Sequence, residues 1–307
     1  MSTGSVADPV LGFYGPDSVM WRINREAVLL GAGPAALLLQ VAHPLVARGV
    51  AQHSDFRADP FARLRRTLAT TLDLVFGDGP TAERAVRRLN AVHAGVRGET
   101  GDEAARLTGS DSYRALDPEL LLWVQSTLIV TSVDAYRRWV GPVSEAEADA
   151  FWQEARAVGL RLGIPRRVSP ATWSDLMGYW DRMLAPDGPI QVTAEARAMA
   201  PLLARPPLPL VPGWAVDALA LPGLALVPAR IRDAYDIPWD ADSDRRARAI
   251  DGLVRAWTSV VPTRLRSMPA ARAADRRARR VRDEPAATRA AMHGSRASSS
   301  AGRYHTG

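Results

Sequence analysis

Stops built from proline and glycine recur along this chain between stretches of helical apolar spacing, and nowhere does a hairpin signal join two strand-like alternating runs. Such punctuation leaves one class of architecture, helices packed on helices: an all-α fold. Asp17-Ser18 precedes Val19, Ile23, Ala27 and Leu30, and Gly31-Ala32-Gly33-Pro34 breaks that helix before 35–39 resumes it. Pro44 pushes the residue before it out of the α region, which predicts a kink at His43. Asp59-Pro60 opens a helix that runs through Arg63, Thr67, Leu68 and Leu72 to a stop at Gly77-Asp78-Gly79-Pro80. Thr81 opens the next, with Val86, Leu89, Val92 and Val96 as its apolar stripe. Asp117-Pro118 starts a long apolar helix ending at Gly141-Pro142, and Ser144 with Glu147 forms a capping box for another that closes at Gly163-Ile164-Pro165. Ser169-Pro170 starts a helix carrying Trp173, Met177 and Trp180; 205–212 reads as an extended proline-rich crossing, and helices follow over 214–221, 222–234, 243–260 and 262–282.

The 307 residues, 47% of them hydrophobic, are enough to bury a large core. The expected organisation is an N-terminal arm over 1–15, one multi-helix bundle with globin-like packing over 16–284, and a disordered basic tail over 285–307 that holds Ser298-Ser299-Ser300. The absence of cysteine excludes disulfides, thiolate metal sites, iron–sulfur clusters and covalently attached haem. Every basic residue other than histidine is an arginine, and eleven of them fall in 263–307 against three acids, so the body is close to neutral. A tail of that kind favours weak contact with polyanions or a membrane surface, and no specific nucleic-acid binding is expected. The first fifteen residues do not read as a signal peptide, and 28–50 and 207–229 are interrupted by prolines and charges, so a cytoplasmic protein is expected.

Three of the five histidines, His43, His53 and His93, lie between Gln40 and Gly98, while His293 and His305 sit in the tail and are given no role. His43 at its kink either serves a site or bonds a carbonyl freed by Pro44. His93 falls on an apolar stripe, where a core histidine with both nitrogens satisfied competes with a ligand. Arg63 and Thr67 stand one turn apart on one polar face, where a helix-to-helix hydrogen bond is the plain alternative. Paired Glu-x-x-His, His-Glu-x-x-His, Gly-x-Ser-x-Gly, P-loop and dinucleotide patterns are all missing. A two-histidine metal site across a bend and a haem b held by a single imidazole both survive these exclusions.

The succession Gln40-Val41-Ala42-His43-Pro44, Gly49-Val50-Ala51-Gln52-His53-Ser54, Arg63-Leu64-Arg65-Arg66-Thr67, His93-Ala94-Gly95-Val96-Arg97-Gly98 and Leu162-Gly163-Ile164-Pro165 resembles the MpaB-type oxygenases, the helical family that includes the latex-clearing rubber oxygenases. The resemblance runs in order from about Gly12 to Arg282. It implies haem b with His93, in the His-x-x-Val-x-Gly pattern, as the iron ligand, and Arg63 and Thr67 beside the haem. Arg63, with Arg66 or Arg97, would neutralise the propionates. It further implies dioxygen and a hydrophobic, unsaturated isoprenoid or lipid-like substrate, whose carbon–carbon double bond is cleaved. Two positions depart from the family pattern. Arg66 stands where a rubber-cleaving relative has a distal lysine ligand, and a guanidinium cannot ligate iron. No glutamate stands between Glu26 and Glu83 to match the carboxylate base proposed in those relatives, so His43 or His53 is expected to act as the acid–base group. A non-enzymatic haem carrier or sensor is the alternative, and a cofactor-free helical scaffold is the third reading. The oligomeric state is left open.

Overall fold

A computed structural model describes residues 7–53, 60–205 and 212–283, with the backbone alone at 60–64, Trp214 and Leu219. The expected extended crossing, apart from its first and last residues, lies outside the described residues; so do the tail over 285–307, His293 and His305.

The described residues form fifteen α-helices, two 3-10 turns and two three-residue strands, so the fold is all-α. In chain order the helices are α1 (Val19–Asn24), α2 (Gly33–Val41), α3 (Pro44–His53), α4 (Pro60–Phe76), α5 (Gly79–Gly95), α6 (Asp102–Thr108), α7 (Pro118–Trp139), α8 (Glu145–Gly159), α9 (Trp173–Leu184), α10 (Ala194–Ala204), α11 (Gly213–Leu224), α12 (Ala229–Ala234), α13 (Ala241–Val260), α14 (Thr263–Arg266) and α15 (Pro269–Asp283).

The helices gather round α7, which packs on α1, α2, α8 and α13 and buries more than half of its residues. Asp117 caps it by accepting the Glu119 N–H at 2.9 Å, and Pro118 fills a first-turn position whose N–H has no intrahelical partner. Its buried hydroxyls are satisfied within the helix: Ser126 donates to the Leu122 carbonyl at 2.7 Å and Thr131 to that of Thr127 at 2.6 Å. Four fully buried tryptophans set the core. Each indole N–H finds an acceptor: Trp21 the Asp275 carboxylate at 3.1 Å, Trp123 the Leu39 carbonyl at 3.0 Å, Trp139 the Asp251 carboxylate at 2.6 Å and Trp152 the Pro170 carbonyl at 3.0 Å. Burial of such large rings with their single donor paired keeps their apolar contribution undiminished.

Local signals place most helix ends. The capping box of Ser144 and Glu147 forms as read, and Gly163 takes the positive φ of 100° that closes the following turn. Elsewhere the structure corrects the expectations. The helix expected from Ser169-Pro170 begins at Trp173, because Thr172 and Asp175 supply a second capping box. Pro222 does not separate two helices; it sits in the last turns of α11. The helix expected over 262–282 is broken at Ser267 and Met268, where the chain forms an isolated bridge with Glu26 and the Met268 N–H bonds the Arg25 carbonyl at 2.8 Å. The reading without strands missed a short antiparallel hairpin, β1 (Arg97–Glu99) and β2 (Ser112–Arg114). The globin-like part of the expected packing finds no structural support. The described part of the N-terminal arm is docked: the Pro9 carbonyl accepts from the Gly79 N–H at 3.2 Å and that of Val10 from Arg277 at 2.7 Å.

No single helix among the described residues is long and apolar enough to cross a membrane; Ala27–Val41 and Pro44–His53 together have the composition but are bent by 105° at His43.

Candidate active site

His93 lies in the last turn of α5. The helix stops at Gly95, and Val96 is extended, so the last member of the expected stripe leaves the helix. Val92, read as a stripe residue, is 58% exposed: the end of α5 projects past the core instead of packing into it. His93 itself is half-buried, and its Nδ1 is buried without a hydrogen-bond partner. A core histidine with both nitrogens satisfied is therefore not what this residue is. Burial also lowers its pKa below the ordinary imidazole value, which keeps the ring neutral at pH 7 with a lone pair free.

His93 lines a cavity of about 330 Å³, with Val96 and Arg97 beside it in sequence and Arg114, Leu116 and Asp117 coming from the following strand and the start of α7. The hairpin joins the two segments. Arg97 pairs with Arg114, Gly98 with Tyr113 and Glu99 with Ser112. Alternation sends Tyr113 inward against α3, where it is buried, and leaves both arginines on the opposite face, exposed. The inward face is tight. A Cβ at Gly98 would lie 2.9 Å from Gln52 Oε1 and 3.1 Å from the Tyr113 hydroxyl, and one at Gly49 would lie 3.2 Å from the Tyr113 ring. These two glycines, in separate motifs of the sequence, thus let α3 and the hairpin approach closely. Gln52 bridges the Tyr113 hydroxyl and the Arg48 guanidinium across the same contact.

The other candidate residues surround this cavity without lining it. His53 holds the hairpin from outside, its Nε2 3.1 Å from the Arg97 carbonyl and its ring edge-on to Tyr113. His43 sits at the predicted kink, 8% exposed. The Leu45 N–H donates to its Nδ1 at 3.2 Å, so His43 caps α3 rather than bonding a freed carbonyl. Burial pushes the His43 pKa down to about 4 against the partial opposition of Asp117, whose charge ties His43 electrostatically to the cavity wall. Arg66 and Thr67 are exposed on α4, and the Arg63 side chain lies outside the described residues. The bond from Arg88 to Thr70 at 3.2 Å sets α4 and α5 antiparallel, which brings the Arg66–Thr67 turn level with the last turns of α5. Among the described residues no three His, Asp or Glu side chains converge as a metal site, so His43 and His53 do not build one with a third ligand. Sequence reasoning missed Arg114, Leu116 and Asp117 as cavity residues; Asp117 was visible only as a cap, and Arg114 is placed by strand pairing that no local motif announces.

Fold and cavity together define an all-helical protein with a neutral, unbonded imidazole at the edge of its core. The chain belongs to the oxygenase family described as ER-bound oxygenase mpaB/B′/rubber oxygenase, catalytic domain, which matches residues 20–256. Two proteins described as uncharacterised, from Mycobacterium bovis and Mycobacterium tuberculosis, are each 30% identical over 243 residues, covering 75% of this chain and 89% of theirs. No solved structure matches the chain.

Proposed function

We propose that the protein is a haem b-dependent oxygenase in which His93 is the iron ligand and dioxygen is used on a hydrophobic, unsaturated isoprenoid or lipid-like substrate. The observation that carries this reading is the His93 imidazole: neutral, half-buried, its Nδ1 without a partner, at the wall of a cavity that also holds two arginines. Those residues suit a haem, which asks for one neutral imidazole, an apolar wall and cations at its carboxylate edge. A volume near 330 Å³ falls at the small end of ligand clefts, roughly 300–1,000 Å³, but Ala94, Arg97 and Arg114 are exposed, so the cavity is open along one side and does not enclose its ligand.

Bound there, a haem supplies the redox chemistry that activates dioxygen, which no side chain of this protein can supply. The chain's own contributions are positional. His93 donates a lone pair, which burial keeps free of a proton. Val96 and Leu116 give the cavity its apolar wall. Arg97 neutralises carboxylate charge at the rim. His53, bonded to the Arg97 carbonyl, fixes the strand that carries this arginine. His43 remains neutral at pH 7 with Nδ1 engaged as a cap, so any proton it moves must come from Nε2.

The test is the absorption spectrum of protein supplied with haem, compared with His93→Ala, together with oxygen uptake on an unsaturated lipid. A Soret band lost on substitution and oxygen consumed by the wild type support the reading. A band unchanged in His93→Ala removes His93 as ligand, and haem binding without oxygen uptake turns the reading into that of a carrier or sensor.

A further inference from the structure

Arg97 and Arg114 are direct partners across the β1–β2 ladder, so their side chains leave the same face of the hairpin side by side. Like charges placed directly opposite on a sheet are destabilising. Among the described residues nothing offsets this pair: neither guanidinium has a hydrogen bond or a carboxylate within 4 Å. Glu99 shares their face two residues along but pairs with neither, and Asp117, on the same cavity wall, turns its carboxylate to the Glu119 N–H as the cap of α7. The arrangement is nonetheless held firmly. His53 bonds the Arg97 carbonyl, the Ala115 N–H bonds the Val96 carbonyl at 2.9 Å, and Tyr113 anchors the opposite face of the hairpin. The fold therefore holds two uncompensated cations together at the rim of the cavity that contains His93.

We propose that Arg97 and Arg114 form a two-guanidinium seat for a carboxylate-bearing ligand that enters the His93 cavity. Planar guanidinium forks match carboxylate oxygens bidentately, and an anion between the two removes the repulsion that the empty hairpin carries. The inference rests on the cavity being the functional site, as proposed above, but not on haem being its occupant. One chemistry has two sources here, the propionates of a porphyrin or the headgroup of a fatty-acid substrate.

The full-length protein and its Arg114→Gln, Arg97→Gln and doubly substituted variants are titrated with haem, haem dimethyl ester, oleate and methyl oleate, with binding followed by tryptophan quenching. Arg84→Gln, on an exposed face of α5 away from the cavity, is the control. The seat predicts that the free acid of one pair binds about tenfold or more tightly than its ester, and that each cavity substitution removes this preference while leaving ester binding unchanged. A preference confined to haem identifies the propionates, and one confined to oleate the headgroup. Without ligand, Arg114→Gln should melt no lower than wild type, since it relieves a repulsion. Equal binding of acid and ester, or equal losses for both, overturns the seat while leaving the His93 spectrum to decide the haem reading separately. A haem-free protein whose acid preference for oleate survives both substitutions overturns it as well.

Discussion

The centre of α7 and the end of α5 are built on opposite principles. Round α7 every fully buried indole donates to an acceptor, the hydroxyls bond back to the helix, and Asp251 takes both the Trp139 N–H and the Arg138 guanidinium. At the end of α5 an imidazole nitrogen is buried unbonded, two arginines face one another without a counterion, and Val92 and Leu116 are 58% and 40% exposed. Within α7 a single buried side-chain acceptor, Gln125 Oε1, is left unpaired; at the end of α5 the unpaired groups gather at the wall of one cavity. Unmet polar and apolar surface gathered at one edge marks where stability has been left unclaimed, and that is where a ligand gains most by binding.

Substitutions should separate the two regions. Trp123→Ala or Trp152→Ala removes a fully buried ring and leaves a cavity, and urea unfolding should show a loss of about 3–5 kcal/mol. His93→Ala, made in the same background, should change unfolding by less than about 1 kcal/mol while abolishing the haem spectrum. If His93→Ala proves as costly as a core tryptophan, the contrast between the regions fails.

Acid sharpens the comparison through His43. Its folded pKa of about 4 lies below the ordinary 6.5, so the unfolded chain binds the extra proton first. Its contribution to stability is fully present above about pH 6.5 and is lost as the pH falls toward 4, by about 3 kcal/mol at most. His43→Asn keeps an acceptor for the Leu45 N–H but cannot titrate, and should flatten the profile in that window. Unfolding followed by circular dichroism between pH 4 and 7 would expose a His43 whose burial does not matter, since both proteins would then fall in parallel.

A smaller effect is expected at Asp251. Asp251→Ala strands the Trp139 N–H and the Arg138 guanidinium and should cost about 2 kcal/mol, whereas Asp251→Asn, which keeps an acceptor, should cost less. The smallest is Gly98→Ala. The new Cβ meets the Tyr113 hydroxyl and the flexible end of Gln52, so about 1 kcal/mol and a weaker hold on the hairpin are expected, read as faster amide exchange at Tyr113.

How far the sequence could be read follows the same division. Helix starts at Asp117 and Ser144 were visible because a cap and its N–H lie within three residues of each other, whereas the helix expected from Thr81 starts at Gly79 with Asp78, read as part of a stop, as its cap. The bend at His43 was visible because proline restricts the residue before it. Pro222 was misread as a boundary between two helices: it forgoes one N–H bond to the carbonyl four residues back, yet α11 continues two residues past it. The family motifs pointed to His93 and Arg97, but His53 and His43, the expected acid–base groups, lie behind the hairpin and under α3 and do not line the cavity.

By itself the sequence determined the helical class, the punctuation between helices and the residues able to offer an imidazole, because each of these depends on neighbours a few positions apart. Tertiary structure alone decided that Arg114 and Asp117 come to stand beside His93, and that the rings of His43 and His53 do not. The physical reason is that pairing Arg97 with Arg114 and seating Tyr113 against Gly49 join segments far apart in the chain, and such contacts are chosen by packing rather than by local conformational preference.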